Sequence, residues 1–170
     1  MTSPAEAESD QLAEIRRLTD LYALGMDTGD LDVLPRLFVP DGSLIVRAPG
    51  REKPLGTFHG PGPDGIGLIA KLLRELYRAT LHNITTHEAS IDGDRATGTT
   101  YCLAYHMTNG DGDGGTLETL GVKYEEQFIR TEAGWRFTVR DATRLWSQIT
   151  PTPVEPLLID RAAARARGAS

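Results

Sequence analysis

Cysteine is almost absent from this chain: Cys102 stands alone in 170 residues, so no internal disulfide can form. A single thiol fits a reducing compartment, and the cytoplasm is the expected location. Long apolar runs are also missing, and no stretch approaches the roughly 20 residues of a membrane-spanning helix. Positive charge is thin, with 18 Lys and Arg against 24 Asp and Glu and a formal net charge of -6. That deficit, without any basic stripe, argues against a nucleic-acid partner. Arg161, Arg165 and Arg167 are the one local cluster of cations. The N-terminus is acidic and polar, the reverse of a secretory signal peptide. What remains is ordinary for a globular domain, 39% hydrophobic and 25% charged, in a length that suits one core and one pocket.

The chain divides into an expected disordered leader (residues 1–8), a folded domain (9–150) and a tail (151–170). Over residues 10–26, Leu12, Ile15, Leu18, Leu21, Tyr22 and Met26 recur at helical spacing. Gly25 and then Thr28-Gly29 supply a stop. A short second helix follows, with Asp32 as its N-cap, Pro35 in its first turn and Leu34, Leu37 and Phe38 toward the core. Residues 40–42 read as a turn and 43–47 as a strand. Pro49, Pro54, Pro61 and Pro63 fall among glycines in residues 48–65, a long loop with the makings of a lid. A third helix is expected over 63–77, with Ile66, Ile69, Leu72, Leu73 and Leu76 as its stripe.

The second half changes character. Residues 80–91, 95–108, 116–130 and 135–148 read as four long strands, with tight hairpins at 92–94 and 132–134 and a longer, flexible connection at 109–115. Helices followed by a strand meander predict an α+β domain, one curved antiparallel sheet packed on helices. The tail carries three prolines and then an Arg/Ala-rich helical end.

Two residues offer acid–base chemistry. Asp27 lies where the first helix stops, and His82 lies near the start of a strand. A carboxylate that orients an imidazole makes a general base useful near neutral pH. The alternative is that Asp27 belongs to a solvated turn with Asp30 and Asp32. Five residues at about 100° each put Tyr22 and Asp27 roughly 140° apart, so both reach one pocket only if the helix ends or bends near Gly25. His82 and His87 are an odd number apart and are predicted on opposite faces of a regular strand, which weighs against a metal pair. That places His87 on the outer face or at an interface. Arg140, Ala142, Arg144 and Trp146 share one face of the last strand by the same alternation. His106, and His59 in the proline-rich loop, are further candidates, and Tyr101, Tyr105, Phe137 and Trp146 could wall a pocket. Asp111-Gly-Asp113-Gly opens like a calcium loop, but its twelfth position is Val122, not Glu. No metal and no organic cofactor is expected.

An ordered series of residues resembles the SnoaL-like branch of the nuclear-transport-factor-2-like superfamily. The series is Leu21-Tyr22 through Asp27, Gly29-Asp30-Leu31 through Leu37-Phe38, Asp41-Gly42, His82-Asn83, Asp92-Gly93-Asp94-Arg95-Ala96 and Gly134-Trp135-Arg136-Phe137. The resemblance covers residues 11–146. It implies a cone-shaped α+β barrel, a curved sheet wrapped around an apolar pocket closed by the helices. Members include scytalone dehydratase, a bile-acid 7α-dehydratase, a hexachlorocyclohexane dehydrochlorinase, polyketide cyclases and proteins without catalysis. The dehydratase and dehydrochlorinase members imply a dyad at Asp27 and His82. They also imply roles for Tyr22 and, on the last strand, Arg140. A second pocket histidine is implied at His106. The dehydrochlorinase's helix-one lysine has no counterpart here, which weighs against dehalogenation.

The expected function is a cofactor-independent lyase, a dehydratase acting on a hydrophobic cyclic or polyketide-like small molecule. A cyclase or isomerase in the same pocket is the first rival, and a non-catalytic binding or assembly protein the second. A homo-oligomer is expected, a trimer ahead of a dimer, with the tail reaching toward a neighbour.

Overall fold

The computed structural model describes residues 3–108 and 114–153. The connection at 109–113 and the tail from residue 154, with its arginine cluster, lie outside them. Three α-helices and a six-stranded, mixed, unclosed sheet form an α+β fold.

Helix α1 (Pro4–Thr28) begins earlier than its apolar spacing predicts, because Ser3 and Glu6 close a capping box. Residues 4–8, expected as a leader, are therefore its first turns. The helix buries Ile15, Leu18, Tyr22 and Met26. It runs unbroken through Gly25, where a Cβ would stand 2.5 Å from a methyl of Val33, so this glycine serves close packing rather than termination. The stop is Gly29, in the left-handed conformation at φ 69°. Asp30, not Asp32, caps the next turn by accepting the Asp32 N–H at 3.1 Å. A 3₁₀ turn (Leu31–Val33) then leads into α2 (Leu34–Leu37), and Leu34, Leu37 and Phe38 are buried as predicted.

Strand β1 (Phe38–Arg47) absorbs the expected 40–42 turn as a register shift between Phe38 and Ser43. The 48–65 segment is less irregular than expected: it holds a strand, β2 (Gly56–His59), antiparallel to β1. Backbone bonds from Leu55 to Val46 (2.7 Å), Gly60 to Gly42 (2.7 Å) and Ile66 to Gly60 (2.8 Å) strap it down. Helix α3 (Gly67–Leu76) packs along a narrow line of Ile66, Ile69, Ala70 and Leu73. Leu72 and Leu76 lie about 120° and 80° around the helix from Ile66, beyond Ile69, and are exposed.

The remaining strands are β3 (Tyr77–Asp92), β4 (Arg95–Thr108), β5 (Gly114–Thr131) and β6 (Gly134–Pro153), in the sheet order β2-β1-β6-β5-β4-β3. Only β1 and β6 run parallel. The last strand thus continues beyond the predicted end of the domain at residue 150. Gly93 (φ 59°) and Gly134 (φ 95°) turn the two tight hairpins.

Four bulges decide which side chains face inward. Register shifts leave Arg78 and Thr85 unpaired in β3 and Thr138 and Leu145 unpaired in β6. Each extra residue reverses the alternation beyond it. The Thr85 bulge therefore puts His82 and His87 on the same, inner side, which corrects the predicted outward His87. The Leu145 bulge sends Trp146 to the opposite side from Arg144.

The strap offers a stability test. A Cβ on Gly65 would collide with the backbone carbonyls of His59 and Gly60. Gly65→Ala is expected to cost about 1–3 kcal/mol in urea unfolding, whereas Gly50→Ala, with nothing within 4 Å, meets only its own φ of 72° and costs less.

Candidate active site

Strand β3 is an edge of the sheet, and its backbone N–H at His82 has no strand to pair with on that side. Asp27, in the last turn of α1, fills that place. Its Oδ2 accepts the His82 N–H at 2.8 Å, and its Oδ1 accepts the Thr80 hydroxyl at 2.9 Å and meets His82 Nδ1 at 2.6 Å. Burial pushes the Asp27 carboxyl up, but the bonds from the His82 ring, the His82 backbone and Thr80 outweigh it, and the net shift is downward. An ionised carboxylate only accepts, so His82 carries its proton on Nδ1 and leaves Nε2 with a free lone pair. The solvated-turn alternative for Asp27 is thereby set aside.

His82 borders a cavity of about 240 Å³ between the helices and the concave face of the sheet. Met26, Leu44, Val46, Leu55, Ile69 and Leu73 supply much of its apolar wall. Tyr22 and Tyr124 line it as well, and neither hydroxyl has a hydrogen-bond partner among the described residues. Burial raises the Tyr22 phenol to about 12, against a smaller opposite pull from Arg140, so it is a donor at neutral pH. Tyr22 and Asp27 need not share a helix face: Tyr22 points into the cavity, and Asp27 reaches the back of the His82 ring. The predicted helix end near Gly25 was unnecessary for that reason.

His106 also lines the cavity, its ring centroid 5.4 Å from that of His82 and 4.6 Å from that of Tyr77. Its buried Nε2 has no partner among the described residues. Burial, reinforced by the neighbouring His82, lowers its pKa to about 4, so it is neutral at pH 7.

Arg140 departs from its expected place. It is fully buried and does not line the cavity. Its guanidinium lies 4.2 Å from the Tyr22 ring centroid and 4.1 Å from that of Tyr124, under the cavity floor. Nη1 is 3.0 Å from Glu126 Oε1, an ion pair whose N–H direction misses the oxygen. Thr100 donates to Glu126 at 2.8 Å, and His87 Nδ1 meets Thr100 at 2.9 Å. Burial holds the pKa of His87 low, partly offset by Glu126.

Other predicted pocket residues lie elsewhere. Cys102, Ala104 and His106 face inward, so Tyr101 and Tyr105, offset by odd steps from them, face outward. Phe137 packs in the core between Phe38 and Phe128, at centroid distances of 5.0 and 4.8 Å. Trp146 covers Gly121 on the outer face and is 46% exposed. His59 is exposed on edge strand β2, and the same segment instead offers Leu55 to the cavity. Arg144 does line the cavity. Tyr124 and Glu126 were missed, although the alternation of Leu120, Val122, Tyr124 and Glu126 could have marked them as one face.

Neutral His106 links stability to pH. The folded state binds this proton less readily than the unfolded chain, so its contribution is complete above about 6.5 and is lost as pH falls toward about 4. His106→Leu is expected to reduce the stability lost between pH 7 and pH 5 by on the order of 2 kcal/mol in urea titrations.

The model of the SnoaL-like domain family matches residues 7–141. An uncharacterized protein of Mycobacterium tuberculosis strain H37Rv is 29% identical over 149 residues, covering 88% of this chain and 94% of its own. A putative scytalone dehydratase from Novosphingobium aromaticivorans superposes with a TM-score of 0.68 at 18% identity, over 92% of this chain and 99% of that one. A type 2 hexachlorocyclohexane dehydrochlorinase gives 0.66 at 20% identity, over 85% and 90%. At these identities the two structures speak for the fold. With the family model spanning most of its length, the chain belongs to the SnoaL-like domain family.

Proposed function

We propose that this protein is a cofactor-independent lyase that removes water from a compact, apolar, cyclic or polyketide-like alcohol. The observation that carries the reading is the 2.6 Å contact between Asp27 and His82 at the wall of an apolar cavity. His82 Nε2 takes a proton from carbon, and Asp27 stabilises the imidazolium as it forms. The electron pair of the broken C–H bond becomes the new double bond as the neighbouring C–O bond breaks. The departing hydroxide takes its proton from the imidazolium and leaves as water, which returns His82 to its starting state. Tyr22 donates to the oxygen that gains charge, and neutral His106, with its unpartnered Nε2, steadies the substrate. Arg140 acts from beneath, holding Tyr22 and Tyr124 in place. The names of the scytalone dehydratase-like and dehydrochlorinase neighbours favour elimination over cyclisation or isomerisation.

The chemistry is tested by screening cyclic hydroxy-ketones for loss of water by mass spectrometry. His82→Gln is expected to lower kcat by about 10²–10⁴-fold and Asp27→Asn by a smaller factor in that range. Nitrogen NMR of the wild type is expected to show His82 protonated on Nδ1, and Asp27→Ala to remove that preference. A His82 tautomer indifferent to Asp27 sinks the dyad and favours a binding protein.

A homo-oligomer, with a trimer ahead of a dimer, belongs to the same proposal. Leu81, Tyr101 and Trp146 are exposed on the outer face of the sheet, a surface suited to contact between copies. Light scattering is expected to give three times the chain mass, and a concentration-independent monomer discards the idea.

A further inference from the structure

Most of the cavity wall is hydrocarbon, yet one cation borders it without a firm partner among the described residues. Arg144 lines the cavity, and its Nη1 lies 4.0 Å from the Glu118 carboxylate. That carboxylate already accepts the Tyr77 hydroxyl at 3.0 Å. Arg47, the other arginine at the cavity, is committed elsewhere: its Nε lies 2.8 and 2.9 Å from the two oxygens of Asp141. Arg144 is thus the guanidinium at this cavity with capacity to spare.

Its position sets a length. Arg144 pairs with Val122, Val122 with Cys102 and Cys102 with Ile84, so three strand spacings separate β6 from β3. That is about 14 Å along the sheet. Both Arg144 and His82 reach into the cone and shorten the gap that a ligand must bridge. The volume of about 240 Å³ sets a size, since it lies below the range of drug-sized sites. A ligand spanning this space has a compact apolar body, with one end at His82 and the other at Arg144.

We propose that Arg144 recognises a carboxylate and that the substrate is a small cyclic or aryl carboxylic acid. The inference rests on the reading of this cavity as the substrate site and narrows what enters it. A planar guanidinium matches a carboxylate through two parallel N–H bonds, which a neutral amide cannot reproduce. Glu118, held by Tyr77, keeps a negative charge beside the same spot. It therefore opposes a dianion such as a phosphate monoester while leaving one negative charge tolerable. The apolar walls favour burial of the ring over a free, fully hydrated anion.

The test is calorimetric binding of 2-naphthoate and of its neutral counterpart 2-naphthamide at fixed ionic strength. Wild type is expected to bind the acid about tenfold more tightly than the amide. Arg144→Gln is expected to abolish that preference while still binding the amide, and Arg144→Lys to keep part of it. His82→Gln is expected to retain the preference, so failure of the elimination chemistry leaves this result standing. Equal affinities for acid and amide in wild type overturn the proposal. So does a preference that survives in Arg144→Gln, or no binding of either probe at millimolar concentration.

Discussion

One carboxylate joins the two halves of the fold. Asp27 takes three hydrogen bonds from β3, two through Thr80 and His82 side chains and one through the His82 backbone. An edge strand exposes N–H groups that would otherwise be free to pair with another chain. Here the end of α1 covers that edge and satisfies one of them. The position is unfavourable for an anion by itself, because a helix C-terminus already carries partial negative charge. Three donors from a neighbouring element offset that cost. The contact that orients the imidazole is therefore also a contact that docks the first helix.

Beneath the cavity lies a second polar cluster with a different task. Taking a guanidinium and a carboxylate out of water costs several kcal/mol per ion, and Arg140 and Glu126 are both fully shielded. Two tyrosine faces and the Thr100 hydroxyl return part of that cost. The aromatic faces are fixed in turn, because shifting either ring would leave the cation without its neighbour. Removal of Arg140 would strand Glu126 as an unpaired buried charge, so stability depends on it.

Much of this was legible in the sequence. Helical spacing marked α1, period-two alternation marked the long strands, and the residues flanking Asp27 and His82 marked two side chains that lie 2.6 Å apart. The failures have a common cause. Alternation was carried across Thr85 and Leu145, where an extra residue reverses it, and nothing in Thr85-Thr86 or Leu145-Trp146 announces a bulge. His87 and Trp146 were misplaced for that reason. Tyr101 and Tyr105 are a different failure, since they alternate regularly and cannot face the same way as His106. Arg140 was placed on the correct face, but how deep it lies depends on Tyr22 and Tyr124, which arrive from distant parts of the chain. The start of α1 was missed because a capping box of polar residues carries no apolar period.

The sheet stays open, and that has a further consequence. Asp27 and His82 come from α1 and β3, whereas Leu55, Ile69 and Leu73 come from the β2 strap and α3. The wall that carries this pair and the apolar wall opposite are separate pieces of chain, joined across a gap in the strand order. Inherited changes in the strap and α3 can alter which molecules fit without disturbing the contact between Asp27 and His82. A lineage built on this frame can thus reshape its cavity while keeping the Asp27–His82 pair, because the two are encoded in different segments.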